Sequence, residues 1–406
     1  MPAPSKIHPA LAAVLDSQVG IESTAPPPEI KIIVRHKPFL ETMVAAAAIG
    51  GVIGIGHQYT RVMTGSSMSA TPQAIRVMAT RPDIDQIWLD EPVHTLLDAS
   101  VPLIGAPRVW AAGFTGKGIR VGIVDTGIDP DHPDFAGRIA ATKDLTGEGD
   151  RDNNGHGTHV AGIVGGTGVQ SGKYRGVAPD CTYMIAKVLK GDGGGQMSDV
   201  IAGLEFMAEQ HAQVVNLSLG GGSNCDGTDA LSVACDNLWD QGVVVCVAAG
   251  NAGPNAGTLG SPGCARNPIT VGATDKQDEI AGYSSRGPTL DGRAKPDVCF
   301  PGSSIHSCRA KGTSMGDPID NFYTTASGTS MATPHAAGTC ALLLQAHPGL
   351  KPQQLKDVLM STAIDLHLDS NTQGKGRADV VAALQALAAP PPPTPAPQPT
   401  EPPAPT

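Results

Sequence analysis

SGTSMATPH, Ser327 to His335, decides how the rest of this chain is read. Ser330 follows glycine and threonine and precedes small residues and a proline, the setting of a nucleophile presented at a helix start. Small neighbours let a substrate carbonyl and the backbone come close to the hydroxyl. A serine hydroxyl is a weak nucleophile until a base takes its proton, so the motif asks for a histidine and a group to orient it. Both stand upstream. GHGTHVAG places His156 in a glycine-flanked segment, and VGIVDTGID places Asp125 just past a buried-looking strand.

The chain order Asp, His, Ser is that of the subtilisin arrangement, not of chymotrypsin or the α/β-hydrolases. Asp125 in DTGID, His156 in HGTHVAG, Asn251 in AAGN and Ser330 in GTSMATPH also agree in spacing, and with them the chain resembles the subtilisin-like serine proteases from Ser100 to Leu387. NFYTTASGTSMATPH and SSRGPTLDGRAKPDV point toward thermophile-type members. The resemblance implies an α/β fold, with a mostly parallel central sheet flanked by helices and a small α+β propeptide domain before it. It implies a serine endopeptidase that hydrolyses peptide bonds through an acyl-enzyme. Ser330 would be the nucleophile, His156 the base, Asp125 its orienter, and the Asn251 amide with the Ser330 N–H the oxyanion donors.

By the same correspondence, a substrate strand lies between Ser218-Leu219-Gly220 and Gly193-Gly194-Gly195. Ala248, Ala249, Gly250 and Gly260 wall the primary pocket, and these small uncharged residues imply a broad preference for apolar side chains. The family layout places Cys225 and Cys264 beside the cleft and so implies a disulfide between them. Cys246 and Cys340 stand in apolar runs and read as buried free thiols. All eight cysteines lie between Cys181 and Cys340 without a C-x-x-C pair, which argues against a zinc site.

At 406 residues the chain exceeds one average domain, so a large catalytic domain with an accessory segment is expected. Residues 1–28 read as an N-terminal extension, 29–98 as a propeptide or inhibitor-like domain, 99–388 as the peptidase domain, and 389–406 as a proline-rich disordered tail. Within the second segment, EIKIIVRHKP reads as a strand, ETMVAAAAI as a helix, and TPQAIRVMATRPDIDQIWLD as a helix and a strand. VHTLLD would end the propeptide in the cleft, with processing between Leu97 and Asp98, two residues either way. MATPHAAGTCALLLQAHPG reads as a buried helix beginning just after the nucleophile.

A net charge of −10 argues against nucleic acid as a partner, and no apolar run is long enough to span a membrane. The family resemblance implies protein and peptide substrates as partners, with the chain's own propeptide as intramolecular inhibitor, and a monomer is expected. The N-terminus lacks the apolar core of a signal peptide. Secretion is still the expectation, with a cytoplasmic location as the alternative.

The chemistry needs no cofactor. Structural calcium is possible, but not at the family's usual loop, because GGTGVQSGKYRG lacks the oxygen-rich cluster a hard cation prefers. DLTGEGDRDNNG is acidic and reads as a solvated loop. Asp129, Asp131 and Asp134 read as turn or cap residues, His159 and His335 as packed helix residues. GTSMGDP imitates the nucleophile motif without its ATPH continuation, so Ser314 reads as a loop residue. Two other classes compete with the endopeptidase: a silent pseudoenzyme used for binding, and an esterase or acyl transferase using the same serine.

Overall fold

The computed structural model describes residues 6–8, 11–12, 14–15, 29–36, 50–59, 64–89, 99–222 and 225–388. The chain divides into two compact units, Met1–Thr95 and Leu96–Thr406.

The first unit is built on an antiparallel four-stranded sheet of order β2-β3-β1-β4, from β1 (Ile30–His36), β2 (Val52–Tyr59), β3 (Gly65–Ala70) and β4 (Ile84–Leu89). Strand β1 alternates as its sequence does, burying Ile30, Ile32 and Val34. Helix α1 (Pro72–Ala79) is capped by Thr71, whose Oγ1 accepts from Ala74 N, and it buries Ala74, Ile75 and Met78 in the same core. GSSMSA carries no strand signal of its own in the sequence. Its serines have little strand preference of their own, but pairing with β2 on one side and β1 on the other makes β3 a central strand. ETMVAAAAI, VHTLLD, Leu97, Asp98 and the proline-rich tail lie outside the described residues.

The second unit carries a seven-stranded sheet of order β11-β10-β9-β8-β5-β7-β6, parallel at every pairing. Its strands are β5 (Arg120–Asp125), β6 (Ile139–Asp144), β7 (Thr182–Lys187), β8 (Val214–Leu217), β9 (Val244–Ala248), β10 (Ile269–Thr274) and β11 (Val298–Pro301). Strands β8 to β11 are buried throughout, as β-branched runs must be when both faces of a parallel sheet are covered. Flanking helices are α2 (His156–Gly165), α3 (Met197–Glu209), α4 (Ala230–Asp240), α5 (Thr329–Ala346), α6 (Pro352–Ser361) and α7 (Val380–Ala388). A three-stranded antiparallel sheet of β12 (Ile305–Cys308), β13 (Asp317–Pro318) and β14 (Tyr323–Ala326) precedes α5. No helix among the described residues is long and apolar enough to cross a membrane.

Helix α5 begins one residue before Ser330, not after it as the sequence suggested. That places Ser330 in the first turn, where backbone N–H groups have no intrahelical partner. The sheet order reverses around β5, and in such sheets the crevice beyond the strands' carboxyl ends is where ligands bind. Asp125 ends β5, Ser218 follows β8, and Asn251 follows β9 closely.

Candidate active site

A cleft of about 620 Å³ opens at this carboxyl edge. It is lined by His156, Asn251 and Ser330, by Gly193 to Gly195, by Ser218 to Gly220, and by Ala248, Ala249, Gly250 and Gly260. All the cleft residues inferred from the sequence thus meet in one place; Asp125 lies buried behind His156.

Asp125 is fully buried. Its Oδ1 accepts from His156 Nδ1 at 2.7 Å and from Thr126 N at 2.8 Å. The closeness of the two residues follows from glycine. A side chain at Gly157 would run into the Gly127 carbonyl, so only glycine lets the first turn of α2 rest on the loop after Asp125. Asp152 joins these two pieces from below. Its Oδ1 accepts from Thr126 Oγ1 at 2.9 Å and Gly155 N at 2.7 Å, and its Oδ2 accepts from Thr158 N at 2.9 Å. Burial by itself would lower the His156 pKa, but the charge and hydrogen bond of Asp125, with the charge of Asp152, raise it above its ordinary value.

Ser330 Oγ donates to Ser218 O at 3.0 Å, while Ser218 Oγ donates to Ser330 O at 2.8 Å and accepts from Asn216 Nδ2 at 2.9 Å. Asn251 Oδ1 accepts from Thr329 N at 2.9 Å and Thr329 Oγ1 at 3.0 Å. Since both partners donate, this end of the amide is the oxygen, and Nδ2 is left without a protein partner among the described residues. The main-chain groups of Leu219, Gly220 and Gly195 also take part in no hydrogen bond among the described residues. Two open backbone segments and two open N–H donors suit an extended peptide and a developing oxyanion.

Cys225 and Cys264 are joined, with Cα atoms 6.0 Å apart, and tie the chain beyond Gly222 to the chain beyond Ser261. The other six cysteines, Cys246 and Cys340 among them, are buried and free. His159 is buried, its Nε2 bonding Ile305 O at 3.1 Å, and burial drives its pKa down to about 3. His335 is buried between Met331 O and Ser100 Oγ. Both are packing residues.

His132, Asp134 and Cys308 bring nitrogen, oxygen and sulfur atoms within 4.8 Å of one another. The Asp134 carboxylate, though, accepts from Gly168 N at 2.9 Å, Val169 N at 3.1 Å and Tyr323 Oη at 3.1 Å. Its lone pairs serve as a buried cross-link between loops, a larger task than the turn or cap role read from the sequence. Asp129 does act in a turn, accepting from Asp131 N, and also pairs with Arg151 at 2.7 Å.

Sequence reasoning missed Thr126, Asp152 and Thr329. Each was visible beside a motif residue, but its hydroxyl or carboxylate acquires a role only when another segment is folded against it.

This fold and cleft define the class of subtilisin-type serine endopeptidases. A family model described as Peptidase_S8, Subtilase family, matches residues 116–379, and the chain belongs to that family. It is 39% identical over 321 residues to serine protease AprX of Bacillus subtilis (strain 168), covering 72% of each chain. It is 35% identical over 284 residues to thermitase of Thermoactinomyces vulgaris, covering 70% of this chain and 94% of thermitase. A crystal structure of a cold adapted subtilisin-like serine proteinase matches with a TM-score of 0.54 at 36% identity, over 66% of this chain and 88% of that one.

Proposed function

We propose that the cleft hydrolyses peptide bonds with Ser330, His156 and Asp125 as its catalytic residues. The observation that carries this reading is the 2.7 Å bond from His156 Nδ1 to Asp125, in a cleft that His156 shares with Ser330 and Asn251. The bond fixes the tautomer, leaving Nε2 as the basic nitrogen. Ser330 Oγ leaves Ser218 O, gives its proton to Nε2 and attacks the scissile carbonyl. The imidazolium then protonates the leaving amine as the acyl-enzyme forms, and water repeats the sequence in reverse roles. Asn251 Nδ2 and Ser330 N–H receive the oxyanion. The substrate backbone pairs with the open segments at Leu219–Gly220 and Gly195, and the small walls admit varied apolar side chains.

The first unit acts in this reading as propeptide and intramolecular inhibitor, released by self-cleavage near Leu97–Asp98. Any structural calcium would sit elsewhere than the 165–176 segment, which offers no carboxylate. The Cys225–Cys264 bridge favours an oxidising, extracellular setting. The likeness to thermophile-type enzymes rests on the stretches ending in Val298 and His335.

Incubation of purified precursor beside its Ser330→Ala variant tests the whole. Mass spectrometry should show cleavage near Leu97 in the wild type alone, and a fluorophosphonate should label Ser330. A wild type that stays unlabelled and intact under varied calcium and temperature contradicts the proposal.

A further inference from the structure

Lys187 ends strand β7, opposite Asp125 of β5 on one side and Asp144 of β6 on the other. Its side chain is fully buried. An ammonium group in such a place is costly unless its protons are all engaged. Here they are. Nζ donates to Thr126 O at 2.8 Å, Asn153 Oδ1 at 2.9 Å and Leu189 O at 2.8 Å, and the Glu148 carboxylate stands 3.6 Å away.

The three acceptors belong to three working segments. Thr126 follows Asp125, Asn153 lies in the loop leading into His156, and Leu189 leads into the Gly193–Gly195 wall of the cleft. Glu148 tightens the same assembly, since its Oε2 accepts from Asn153 Nδ2 and Gly191 N, each at 2.9 Å. Among the described residues no other side chain donates to all three segments.

We propose that Lys187 is a positioning residue that couples the substrate-binding edge at Gly193–Gly195 to the Asp125–His156 pair. This rests on reading the cleft as the protease site. A peptide drawn against the edge loads the chain at Leu189, and the shared ammonium holds Thr126 and Asn153 in fixed relation to it. Lys187→Met keeps most of the stem but leaves three carbonyl oxygens without their donor.

The test measures kcat and KM for Lys187→Met on two substrates, a tetrapeptide amide spanning the edge and a single-residue ester reaching only the primary pocket. The low-field proton resonance of His156 Nδ1–H is recorded beside them. KM for the tetrapeptide should rise about fivefold with that for the ester little changed, and kcat should fall about tenfold on both, as misplaced reacting groups produce. The resonance should shift or broaden. Asn153→Ala, at an exposed position, should move kcat and the resonance in the same sense by a smaller amount. A folded Lys187→Met with wild-type constants and resonance overturns the proposal, as does an equal rise of KM on both substrates. If Lys187→Met does not fold, unchanged kcat and resonance in Asn153→Ala overturn it. A wild type that hydrolyses neither substrate sinks the protease reading instead, and the resonance then still reports whether Lys187 governs the Asp125–His156 pair.

Discussion

Ser218 and Ser330 hold each other by reciprocal hydrogen bonds, Ser330 Oγ to Ser218 O at 3.0 Å and Ser218 Oγ to Ser330 O at 2.8 Å. The second bond has its origin in the sequence. In helix α5 the carbonyl of Ser330 would ordinarily accept from the N–H four residues on, but that residue is Pro334, which has none. The orphaned carbonyl must find another donor, and the Ser218 hydroxyl provides it. The proline in SMATP thereby ties the Ser330 backbone to the cleft-lining segment that follows β8.

Ser218→Ala should accordingly act on turnover as well as stability. It leaves Ser330 O and Asn216 Nδ2 without this partner, which should cost about 1–3 kcal/mol in unfolding free energy. With Ser330 less firmly placed, kcat should fall roughly tenfold while KM changes little. Active-site titration with steady-state kinetics checks this; unchanged kcat per titrated site would show that the hydroxyl only stabilises the fold.

Thr329 should set the aim of the Asn251 amide. Thr329→Val removes the hydroxyl donor at 3.0 Å but keeps the N–H donor at 2.9 Å, so a loss of several-fold in kcat is expected. Asn251→Leu should lose roughly 10²–10³ in kcat with substrate affinity kept, a range that comes from a subtilisin and is carried over to this chain. If Asn251→Leu turns over as the wild type does, Asn251 is not an oxyanion donor.

What was legible in the sequence was local. Asp125, His156, Asn251 and Ser330 each sit in a short motif whose glycines and small residues declare the turn around them. The β-branched runs of β5, β8 and β9 likewise announce buried parallel strands. Lys187 could not be read, because a lysine at the end of MIAK becomes a hub only through strand register with Asp125 and a loop brought in from residue 153. Strand β3 was illegible for the same reason: its state depends on two neighbours and not on its serines.

The acid limb of the pH profile should lie above the ordinary histidine range. Burial lowers the His156 pKa, yet Asp125 and Asp152 outweigh it and the net direction is upward. With His156 as the proposed base, which works only when neutral, kcat/KM should fall as pH drops through a pKa higher than about 6.5. Asp152→Asn removes one of the two anions and should move the limb to lower pH, at some cost in stability from its lost hydrogen bonds. A limb that stays fixed in this variant would mean that the Asp152 charge does not reach the imidazole.

A buried charge cluster lies outside the cleft lining. Lys295 Nζ donates to Asp297 Oδ2 at 2.8 Å, and Lys356 stands 3.1 Å from the other oxygen of the same carboxylate. One anion thus serves two buried ammonium groups. Burial first, and Lys356 after it, depress the Lys295 pKa to about 8 despite the attraction of Asp297. In the unfolded chain the value returns to about 10.4. Below pH 8 both states carry the proton and the cost of the buried charge is felt in full. Between the two values the folded chain has released a proton that the unfolded chain keeps, so stability rises with pH by about 1.4 kcal/mol per unit. Lys295→Met abolishes this term. Denaturant unfolding at pH 7 and pH 10, in a Ser330→Ala background that prevents autolysis, should show the variant losing ground to its parent by on the order of 2 kcal/mol at the higher pH. Parallel stabilities at the two pH values would mean that Lys295 keeps its proton throughout, with Asp297 strong enough to hold both lysines charged.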